Sequence, residues 1–407
     1  MQEDTIFMLL RFQFSNFRSF RSEQELSLVP AQSKEGLTGA ALPAAAIYGP
    51  NASGKTNAIR ALQFMAVAVA DSHAPWKPDA LIPRAPFAGD EGETTPSEFI
   101  VDFLLERTRH QYGFKVSSDA VVEEWLYVFP KGKRQTWFVR HESAFTFGSK
   151  FKGENETIRI LTRNNSLFLS AAAQNNHELL SPVYRWFSQS LLFITGPKAS
   201  LLDRSVKFFS ERGLLDRLRD QIGLADLGVV DVRLTDTTNA TLGDLVRYGW
   251  PTGFQLVHKL GVKTVSFENQ QESAGTLAYL ALLGPISAML EQGGVLCIDE
   301  LDASLHPLLA IEIVKWFNAS SKPGMSAQLI FTAHDTNLLS AGVLGHDQIW
   351  FTEKDHEGAS HLYPLSDFKT RKQENLERGY LQGRYGAIPL IGAGQVLAGL
   401  DADHVET

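Results

Sequence analysis

The chain has 407 residues but only one cysteine, Cys297, and this scarcity restricts the kind of protein it can be. A single cysteine cannot form an intrachain disulfide, so a disulfide-stapled secreted scaffold is excluded and a cytoplasmic location is expected. The first residues, MQEDTIFM, carry acids and lack a basic stretch, which is atypical of a signal peptide.

Long apolar runs are missing as well. The most apolar stretch, residues 275–290, is interrupted by Gly284 and Pro285, and we expect it to be too short to span a membrane. Internal repeats and sustained heptads are absent, which argues against a long coiled-coil arm. We therefore predict no membrane segment.

Basic residues are fewer than acidic ones: the chain has 38 Lys and Arg residues and 46 Asp and Glu residues, which gives a formal net charge of −8. A broad basic surface for sequence-independent wrapping of DNA is thus disfavoured, although a local basic patch stays open. The hydrophobic share of 44% and charged share of 21% are ordinary for a soluble globular protein. The length suggests two or three structural lobes.

The chain does contain a succession of patterned segments. Strands are predicted at residues 8–14 and 44–48, and a buried helix at 58–70, where apolar residues fill nearly every face. Period-two alternation then predicts the strands of an antiparallel meander, which are residues 97–105, 110–116, 121–129 and 135–141. Residues 167–260 have a mostly helical pattern, and buried strands return at residues 295–298 and 328–332.

This order predicts an α/β fold with a mainly parallel core sheet, an antiparallel β meander and an inserted helical lobe. The core is expected to come from residues 1–75 and 262–407, the meander from residues 95–150, and the helical lobe from residues 160–260.

Residues 49–56, GPNASGKT, fit the pattern G-x-x-x-x-G-K-[ST] between a predicted strand and a predicted helix. Gly49 and Gly54 let the backbone curl so that N–H groups point at phosphate oxygens, and the helix N-terminus adds its positive end. Lys55 would reach the β- and γ-phosphates, and Thr56 would offer its hydroxyl to Mg²⁺. A chance loop is the alternative, and the flanking strand and helix argue against it. The expected nucleotide-binding residues are Gly49, Pro50, Asn51, Ala52, Ser53, Gly54, Lys55, Thr56 and Asn57.

Two adjacent carboxylates, Asp299 and Glu300, follow the apolar run at residues 295–298. Beside a phosphate loop, Asp299 is expected to hold Mg²⁺ opposite Thr56, and Glu300 to polarise the attacking water. Adjacent residues can divide these roles because side chains alternate along an extended backbone. A strand end that simply meets solvent is the alternative.

Two further motifs lie on either side of these carboxylates. Upstream, QESAGT opens an apolar helix, and Ser273 with the N–H of Gly275 would form a second anion site at its N-terminus. Downstream, FTAH places His334 just past a strand, where it could contact the γ-phosphate. Taken alone, His334 would be an ordinary surface or core histidine, and the order of the motifs favours the phosphate role.

Four motifs, in their order along the chain, resemble those of the ATP-binding-cassette (ABC) class of ATPase. They are the phosphate loop, ESAGT, IDELDASLHP and TAHD. The NFRSF turn at residues 16–20 is similar to the chromosome-maintenance and RecF-like branch of that class. Two segments resemble those of stand-alone bacterial ATPases of AAA type with ABC-like architecture, namely DELDASLHP and the C-terminal RKQENLERGYLQGRYGAIPLI. These ATPases are linked to abortive infection and phage defence. The resemblance covers essentially the whole chain.

The resemblance implies that ATP with Mg²⁺ is bound between the phosphate loop of one subunit and Ser273 and Gly275 of a second copy. Residues 302–306 would reach across that interface. The sequence departs from the transporter signature LSGGQ, with Glu272 and Ala274 in place of its leucine and first glycine, which weakens a transporter reading.

Three weaker assignments accompany the resemblance. The class has a Mg²⁺-sensing glutamine loop, for which Gln174 is the candidate, although a solvated turn explains it equally well. Arg18 and Phe20 could pack on the adenine, or the turn could be purely structural. The basic stretch at residues 369–384, with Tyr380 and Tyr385, could contact nucleic acid, but tyrosines packed on the head are the favoured interpretation.

The expected function is a regulatory ATPase that controls a separately encoded effector, a nuclease or a toxin, because no effector chemistry is visible in the chain. The alternative is a RecF-like DNA-repair clamp, for which nucleic-acid binding would be required. In both cases a homodimer or higher homo-oligomer around ATP is expected, without a membrane.

Overall fold

The computed structural model describes residues 7–31, 41–196, 201–225, 228–234, 254–320, 327–369 and 374–388. Within these ranges the chain forms three β-sheets with helices packed around them. The antiparallel sheet consists of β1 Phe7–Ser15, β2 Gln24–Ser27, β4 Ser97–Leu105, β5 Thr108–Val116, β6 Val121–Phe129, β7 Gln135–His141 and β8 Ala144–Phe147. The core sheet consists of β3 Ala44–Tyr48, β9 Leu191–Ile194, β13 Gly294–Ile298, β14 Ala327–Thr332, β15 Ile349–Lys354 and β16 Ser360–Pro364. A small sheet consists of β10 Val229–Leu234, β11 Phe254–Leu260 and β12 Lys263–Phe267.

Helices connect and cover these sheets. They are α1 Lys55–Asp71, α2 Asp90–Thr94, α3 Asn155–Leu161, α4 Phe168–Gln174, α5 Leu180–Gln189, α6 Leu202–Glu211, α7 Leu215–Leu224, α8 Ala274–Gln292, α9 Pro307–Ala319, α10 Asn337–Ser340 and α11 Leu376–Leu381. Short 3₁₀ turns are Pro130–Gly132, Asn269–Gln271, His346–Gln348 and Leu365–Asp367.

The core sheet has the order β16-β15-β3-β14-β13-β9, and its pairs are parallel except for β15 with β16. Strands β3, β13 and β14 are buried on both faces, which explains their continuous apolar runs. Along β3, Ala45 and Ile47 face a core shared with α1 and the antiparallel sheet, whereas Tyr48 faces a core shared with α8 and α9. The predicted α/β fold class is confirmed.

The antiparallel sheet has the order β2-β1-β4-β5-β6-β7-β8. The meander strands at residues 97–105, 121–129 and 135–141 have the predicted bounds. The first strand, however, pairs with β2 and β4, so the expectation that residues 8–14 belong to the core sheet is wrong. Strand β3 does pair with β14 and β15, so both ends of the chain contribute to the core sheet. Gln328 of β14 links the two sheets, because its side-chain amide bonds to Leu9 N at 2.6 Å, Leu9 O at 2.9 Å and Leu42 O at 3.0 Å.

The region predicted as a helical lobe contains strands as well as helices. Residues 191–194 form β9 and pair in parallel with β13, so they belong to the core sheet. Residues 229–234 and 254–260 form β10 and β11. The prediction was wrong for these segments because short apolar runs fit a buried helix and a buried strand equally well. The division of the chain into core, meander and lobe segments stays a prediction.

Helix α8 runs through Gly284 and Pro285 without a break and is 19 residues long, which corrects the expectation that the stretch is too short. The hydroxyl of Ser205 on α6 accepts from Gly284 N at 2.7 Å and donates to Leu280 O at 2.6 Å, and so replaces a helical hydrogen bond. A Cβ at Gly284 would lie 2.6 Å from Ser205 Cα, so glycine is needed for this close approach. By length and composition α8 passes as a candidate membrane span, but 61% of it is buried, as in the core helix of a soluble protein.

Candidate functional site

The loop between β3 and α1 is pressed against β15 and β16. A Cβ at Gly49 would lie 2.3 Å from the carbonyl oxygen of Thr352, and one at Gly54 would lie 2.7 Å from Ser360 Oγ. Gly54, which precedes α1, has a φ of 119°, and Ala52 within the loop has a φ of 62°. Gly49 and Gly54 are therefore required for two reasons: a side chain at either position would collide with β15 or β16, and both residues have a positive φ. The strand, loop and helix have the arrangement that the sequence motif predicted.

Lys55 is buried in this loop, with 6% of its surface exposed. Its Nζ donates to Gly49 O at 2.7 Å and to Pro50 O at 3.0 Å. Burial lowers the pKa of Lys55, while the nearby carboxylates Asp299 and Glu300 act in the opposite direction. The ammonium is thus held over the loop, where phosphate oxygens can replace carbonyl oxygens as its partners.

Asp299 is fixed by two hydroxyl groups. Its Oδ1 accepts from Thr56 Oγ1 at 3.0 Å and from Thr332 Oγ1 at 2.7 Å. Thr332 Oγ1 in turn accepts from Glu300 N at 2.6 Å. Strands β13 and β14 are neighbours, so the end of each strand contributes to the same network. Thr332 lies inside the TAHD motif, but sequence reasoning assigned it no role.

Thr56 and Asp299 provide hard oxygen ligands, which suit Mg²⁺. Within the described part of the chain, no cluster of three or more His, Cys, Asp or Glu side chains could hold a metal. Mg²⁺ fits this limited set because it commonly binds through one or two protein ligands, phosphate oxygens and water. The residues brought together here are therefore compatible with a nucleotide-bound Mg²⁺.

Glu300 and His334 lie on the open side of this network. Glu300 has a φ of 52°, in the left-handed region, and its side chain is 54% exposed. His334 Nε2 lies 3.7 Å from Glu300 Oε1, and the histidine side chain is 41% exposed. Both groups are accessible to a ligand, as a water-polarising carboxylate and a phosphate-contacting imidazole would need to be.

Asp302 does not point outward to a partner as expected. Its Oδ2 accepts from His334 N at 2.7 Å and Asp335 N at 2.5 Å, so it fixes the turn that carries His334. Ser304 is exposed with a φ of 64°, and His306 caps the start of α9. The exposed part of the 302–306 loop is therefore smaller than predicted, because Asp302 satisfies backbone N–H groups of its own chain.

Ser273 begins α8. Its Oγ accepts from Thr276 N at 3.0 Å and lies 2.8 Å from Thr276 Oγ1. A Cβ at Gly275 would lie 2.9 Å from Ser304 O, so the glycine allows the 302–306 loop to approach α8. The side chain of Glu272 is 5% exposed and lies 2.7 Å from His258 Nε2 on β11. A carboxylate is accommodated at this nearly buried position because it lies within hydrogen-bond distance of His258.

A cleft of about 940 Å³ opens beside the phosphate loop. Ser273 and Gly275 are not among the residues that line it, so in this chain they lie outside the cleft. Its described lining consists of Gly49, Pro50, Asn51, Ala52, Ser53, His334, Thr336, Glu353, Lys354, Tyr380, Leu381, Gly383, Gly386, Ala387 and Ile388. Sequence reasoning missed the contribution of residues 380–388, although it had singled out their motif.

Tyr380 and Tyr385 pack inside the molecule, with exposed fractions of 7% and 1%. Tyr380 stacks on Phe351 with ring centroids 5.5 Å apart, and Tyr385 lies 5.8 Å from the same ring. Neither tyrosine can therefore stack on bases, which corrects the nucleic-acid interpretation and supports the packed one.

The NFRSF turn is tied to the start of α1. Asn57 Nδ2 donates to Ser19 Oγ at 2.9 Å, which fixes the turn beside the phosphate loop. Phe20 is fully buried and cannot contact an adenine, which corrects that expectation. Arg18 is exposed, and partial burial together with the nearby Arg60 lowers its pKa. It is available to a ligand but does not line the cleft.

Gln174 is not brought to the site. It is exposed at the end of α4, and Ser170 on the same helix accepts from His73 N beyond the C-terminus of α1. Thr56 is at the opposite end of α1, a helix of 17 residues and therefore roughly 25 Å long. The interpretation of Gln174 as a Mg²⁺ contact is accordingly corrected, and the solvated-turn alternative fits its position.

Comparison with solved structures finds heads of SMC proteins at low sequence identity. The SMC head bound to the C-winged helix domain of ScpA is 14% identical, with a TM-score of 0.48 and coverage of 88% of this chain and 97% of that chain. The SMC head domain from Thermotoga maritima is 14% identical, with a TM-score of 0.43 and coverage of 88% and 98%. An SMC head with an extended coiled coil, bound to the C-terminal domain of ScpA derived from Pyrococcus furiosus, is 13% identical, with a TM-score of 0.41 and coverage of 88% and 96%.

A search of the curated proteins finds no match. Residues 44–340 match the family described as "AAA domain, putative AbiEii toxin, Type IV TA system". This confirms the resemblance to bacterial AAA-type ATPases linked to abortive infection. Because the match spans well over half of the chain, the protein belongs to this family.

Proposed function

We propose that the protein is a Mg²⁺-dependent ATPase that pairs with a second copy around ATP and controls a separately encoded effector. The observation that carries the proposal is the division of the site. Lys55, Thr56 and Asp299 form one connected set at the phosphate loop, whereas Ser273 and Gly275 lie outside the adjacent cleft. An anion site at a helix N-terminus that its own cleft does not use is suited to the phosphates of a partner.

Each group of the phosphate-loop half has a defined task in this proposal. The loop and Lys55 bind and orient the phosphates. Thr56 and Asp299 hold Mg²⁺, which when bound neutralises charge developing on the phosphate oxygens. Glu300 orients and polarises a water molecule, and His334 donates a hydrogen bond to the γ-phosphate. Thr332 keeps the Asp299 carboxylate and the Glu300 backbone in register.

Regulation of a separate effector is part of this proposal, and the family description supports it. Within the described residues, no cluster of three or more His, Cys, Asp or Glu side chains could hold a metal for effector chemistry. The family description refers to a putative toxin in a toxin–antitoxin system, which supports an output in growth arrest or defence. The effector is proposed to be a nuclease or toxin on another chain, in the cytoplasm.

The first test uses Glu300→Gln with ATP and Mg²⁺. The variant should bind ATP, lose about 100-fold or more in kcat and accumulate as a nucleotide-bridged dimer in sedimentation, since the water is no longer polarised. A strictly monomeric variant with full turnover would contradict the assignment.

Mixing two inactive variants tests whether one site is shared between two chains. Lys55→Ala should lose the phosphate-loop half, and Ser273→Arg should lose the signature half but still bind ATP. In a mixed pair, the intact loop of the Ser273→Arg chain meets the intact signature of the Lys55→Ala chain, so part of the turnover should return. If mixing restores no turnover although both variants are folded, the shared site is wrong.

The alternative DNA clamp is favoured by one observation on the antiparallel sheet. The turns after β4, β6 and β8 lie at the same end of the sheet, because Leu105 pairs with Thr108 and Val128 with Gln135. Six exposed cations are carried by these turns, namely Arg107, Lys131, Lys133, Arg134, Lys150 and Lys152. No ion pair involves any of them within the part of the chain that the structure describes.

This basic end would bind a phosphate backbone without reading sequence. Affinity for a duplex of 30 base pairs should fall steeply between 50 and 200 mM salt, by roughly 10-fold or more if a few phosphates are neutralised. Lys131→Glu together with Lys133→Glu should reduce the salt dependence, whereas Lys315→Glu on α9 serves as the control. Binding that is absent, or equal in both variants, would leave only the regulatory function.

A further inference from the structure

The motif ERGYLQGRYGAI is not explained by the proposed ATPase chemistry, yet part of it lines the nucleotide cleft. We call residues 376–388 the C-terminal segment. Its residues Tyr380, Leu381, Gly383, Gly386, Ala387 and Ile388 form one wall of the cleft, facing the phosphate-loop residues 49–53. The segment is thus part of the site and not a surface helix remote from it.

The C-terminal segment is built to keep a fixed shape. Tyr380 OH donates to Ala387 O at 2.9 Å, which closes the segment on itself. A Cβ at Gly379 would lie 2.6 Å from Tyr385 OH, so a larger residue would force the two turns apart. Gly386 has a φ of +68°, and its Cβ would meet Glu353 Oε2 at 2.6 Å. The glycines and tyrosines of the motif therefore specify one conformation.

The same segment is anchored to β15 and β16, the two strands against which the phosphate loop packs. Ala387 N donates to Glu353 Oε2 at 3.0 Å, and Tyr363 OH donates to Tyr385 O at 2.9 Å. Tyr380 also lies 6.0 Å from the ring of Tyr48, the residue immediately before the loop. A displacement of the phosphate loop would therefore also shift this wall of the cleft, because Tyr48 and Tyr380 are in aromatic contact.

A hydrogen bond also joins the segment to the histidine turn. Thr336 Oγ1 donates to Glu377 Oε1 at 2.7 Å. Thr336 lies two residues after His334 and lines the cleft itself. On the other side, Asp302 accepts from the backbone N–H of His334 and Asp335. The turn is held between two carboxylates, one from the loop after β13 and one from the C-terminal segment.

We infer that Glu377 is a positioning residue for His334, and that the C-terminal segment acts on catalysis by holding the histidine turn against the nucleotide cleft. This inference rests on the proposed ATPase function. Glu377 touches no reacting atom. Its role is to fix Thr336, so that His334 meets the γ-phosphate at a constant distance. The motif is thereby assigned to the active site and not to nucleic-acid recognition.

The test separates positioning from folding by a pair of substitutions. Glu377→Ala and Thr336→Val should each lower kcat by between 10- and 100-fold, the usual order for a misplaced catalytic group, with the Kd for ATP unchanged. Glu377→Gln keeps an acceptor oxygen and should restore most of the turnover. Because both residues act through one hydrogen bond, the double variant should be no worse than either single variant.

Arg378→Ala is the matched control, since Arg378 is the exposed neighbour of Glu377. Full turnover in Glu377→Ala, or strictly multiplicative losses in the double variant, would overturn the inference. A wild-type protein without ATP turnover would instead refute the proposed function. A Glu377→Ala protein that unfolds is distinguished by Thr336→Val, which leaves the C-terminal segment intact and must still lower kcat.

Discussion

The two halves of the proposed site differ in how they are held. In the phosphate-loop half, groups from α1, β13 and β14 converge, so that Asp299 accepts hydrogen bonds from Thr56 and Thr332. In the signature half, the hydrogen bonds of the Ser273 side chain among the described residues are with Thr276 of its own helix turn, and Ser273 is exposed. One half is therefore preorganised for binding, and the other is a stable, solvent-facing helix start. This difference in preorganisation is expected if the single chain binds the nucleotide through the phosphate-loop half alone.

The largest effect is expected from a substitution that disrupts the preorganised half of the site. Lys55→Ala removes the buried ammonium that bonds to Gly49 O and Pro50 O, and ATP affinity should fall about 100-fold because charge-assisted bonds to phosphate are lost. Titration calorimetry with ATP and Mg²⁺ measures this, with Lys77→Ala, an exposed lysine, as the control. Equal affinity in the two variants would show that the loop does not hold phosphate.

A medium effect is expected at Thr332. Thr332→Val removes a hydrogen bond to Asp299 and leaves Glu300 N without its acceptor, so kcat should fall about 10-fold. The Mg²⁺ concentration for half-maximal turnover should rise, because Asp299 is no longer oriented. Thr332→Ser retains the hydroxyl and should behave like the wild type. If Thr332→Ser and Thr332→Val lose turnover equally, the role of Thr332 is packing instead.

The smallest expected effect concerns the signature half of the proposed site, which contains Ser273 and Gly275. His258→Ala removes the hydrogen-bond partner of Glu272, immediately before Ser273, and should weaken nucleotide-dependent pairing by about 3- to 10-fold, the range for one hydrogen bond. ATP binding to the single chain should not change. Sedimentation in a Glu300→Gln background reads the pairing, with His361→Ala, which removes a similar contact to Asp355, as the control. If both histidine variants pair equally well, Glu272 does not position the signature.

Sequence reasoning succeeded where the chemistry lies within one short segment. The strand, loop and helix around the phosphate-loop motif were predicted, because these three elements are consecutive in the chain. The adjacent placement of Asp299 and Thr56 was also predicted, since parallel strands end at the same edge of the sheet. The roles proposed for these residues stay predictions that the experiments above can test.

It failed where a residue's role depends on neighbours distant in sequence. Thr332 matters because β14 lies beside β13, and no local pattern states which strands are adjacent. Gln174 was the candidate for the glutamine loop that the resemblance implies, but α4 packs at the far end of α1 from the phosphate loop. Residues 191–194 are too few for a period to distinguish strand from helix. The C-terminal motif was noticed, yet only the fold shows that it lines the cleft.

Gln328 has a consequence for how the molecule can be divided. A single buried amide bonds to both backbone groups of Leu9 and to Leu42, and thereby joins the first antiparallel strand to the core sheet. The antiparallel sheet is consequently not an independent module that could be excised, grafted or expressed alone. Any deletion that separates the two sheets would leave this amide buried without partners. Protein engineering of this chain should therefore treat both sheets as one unit of folding.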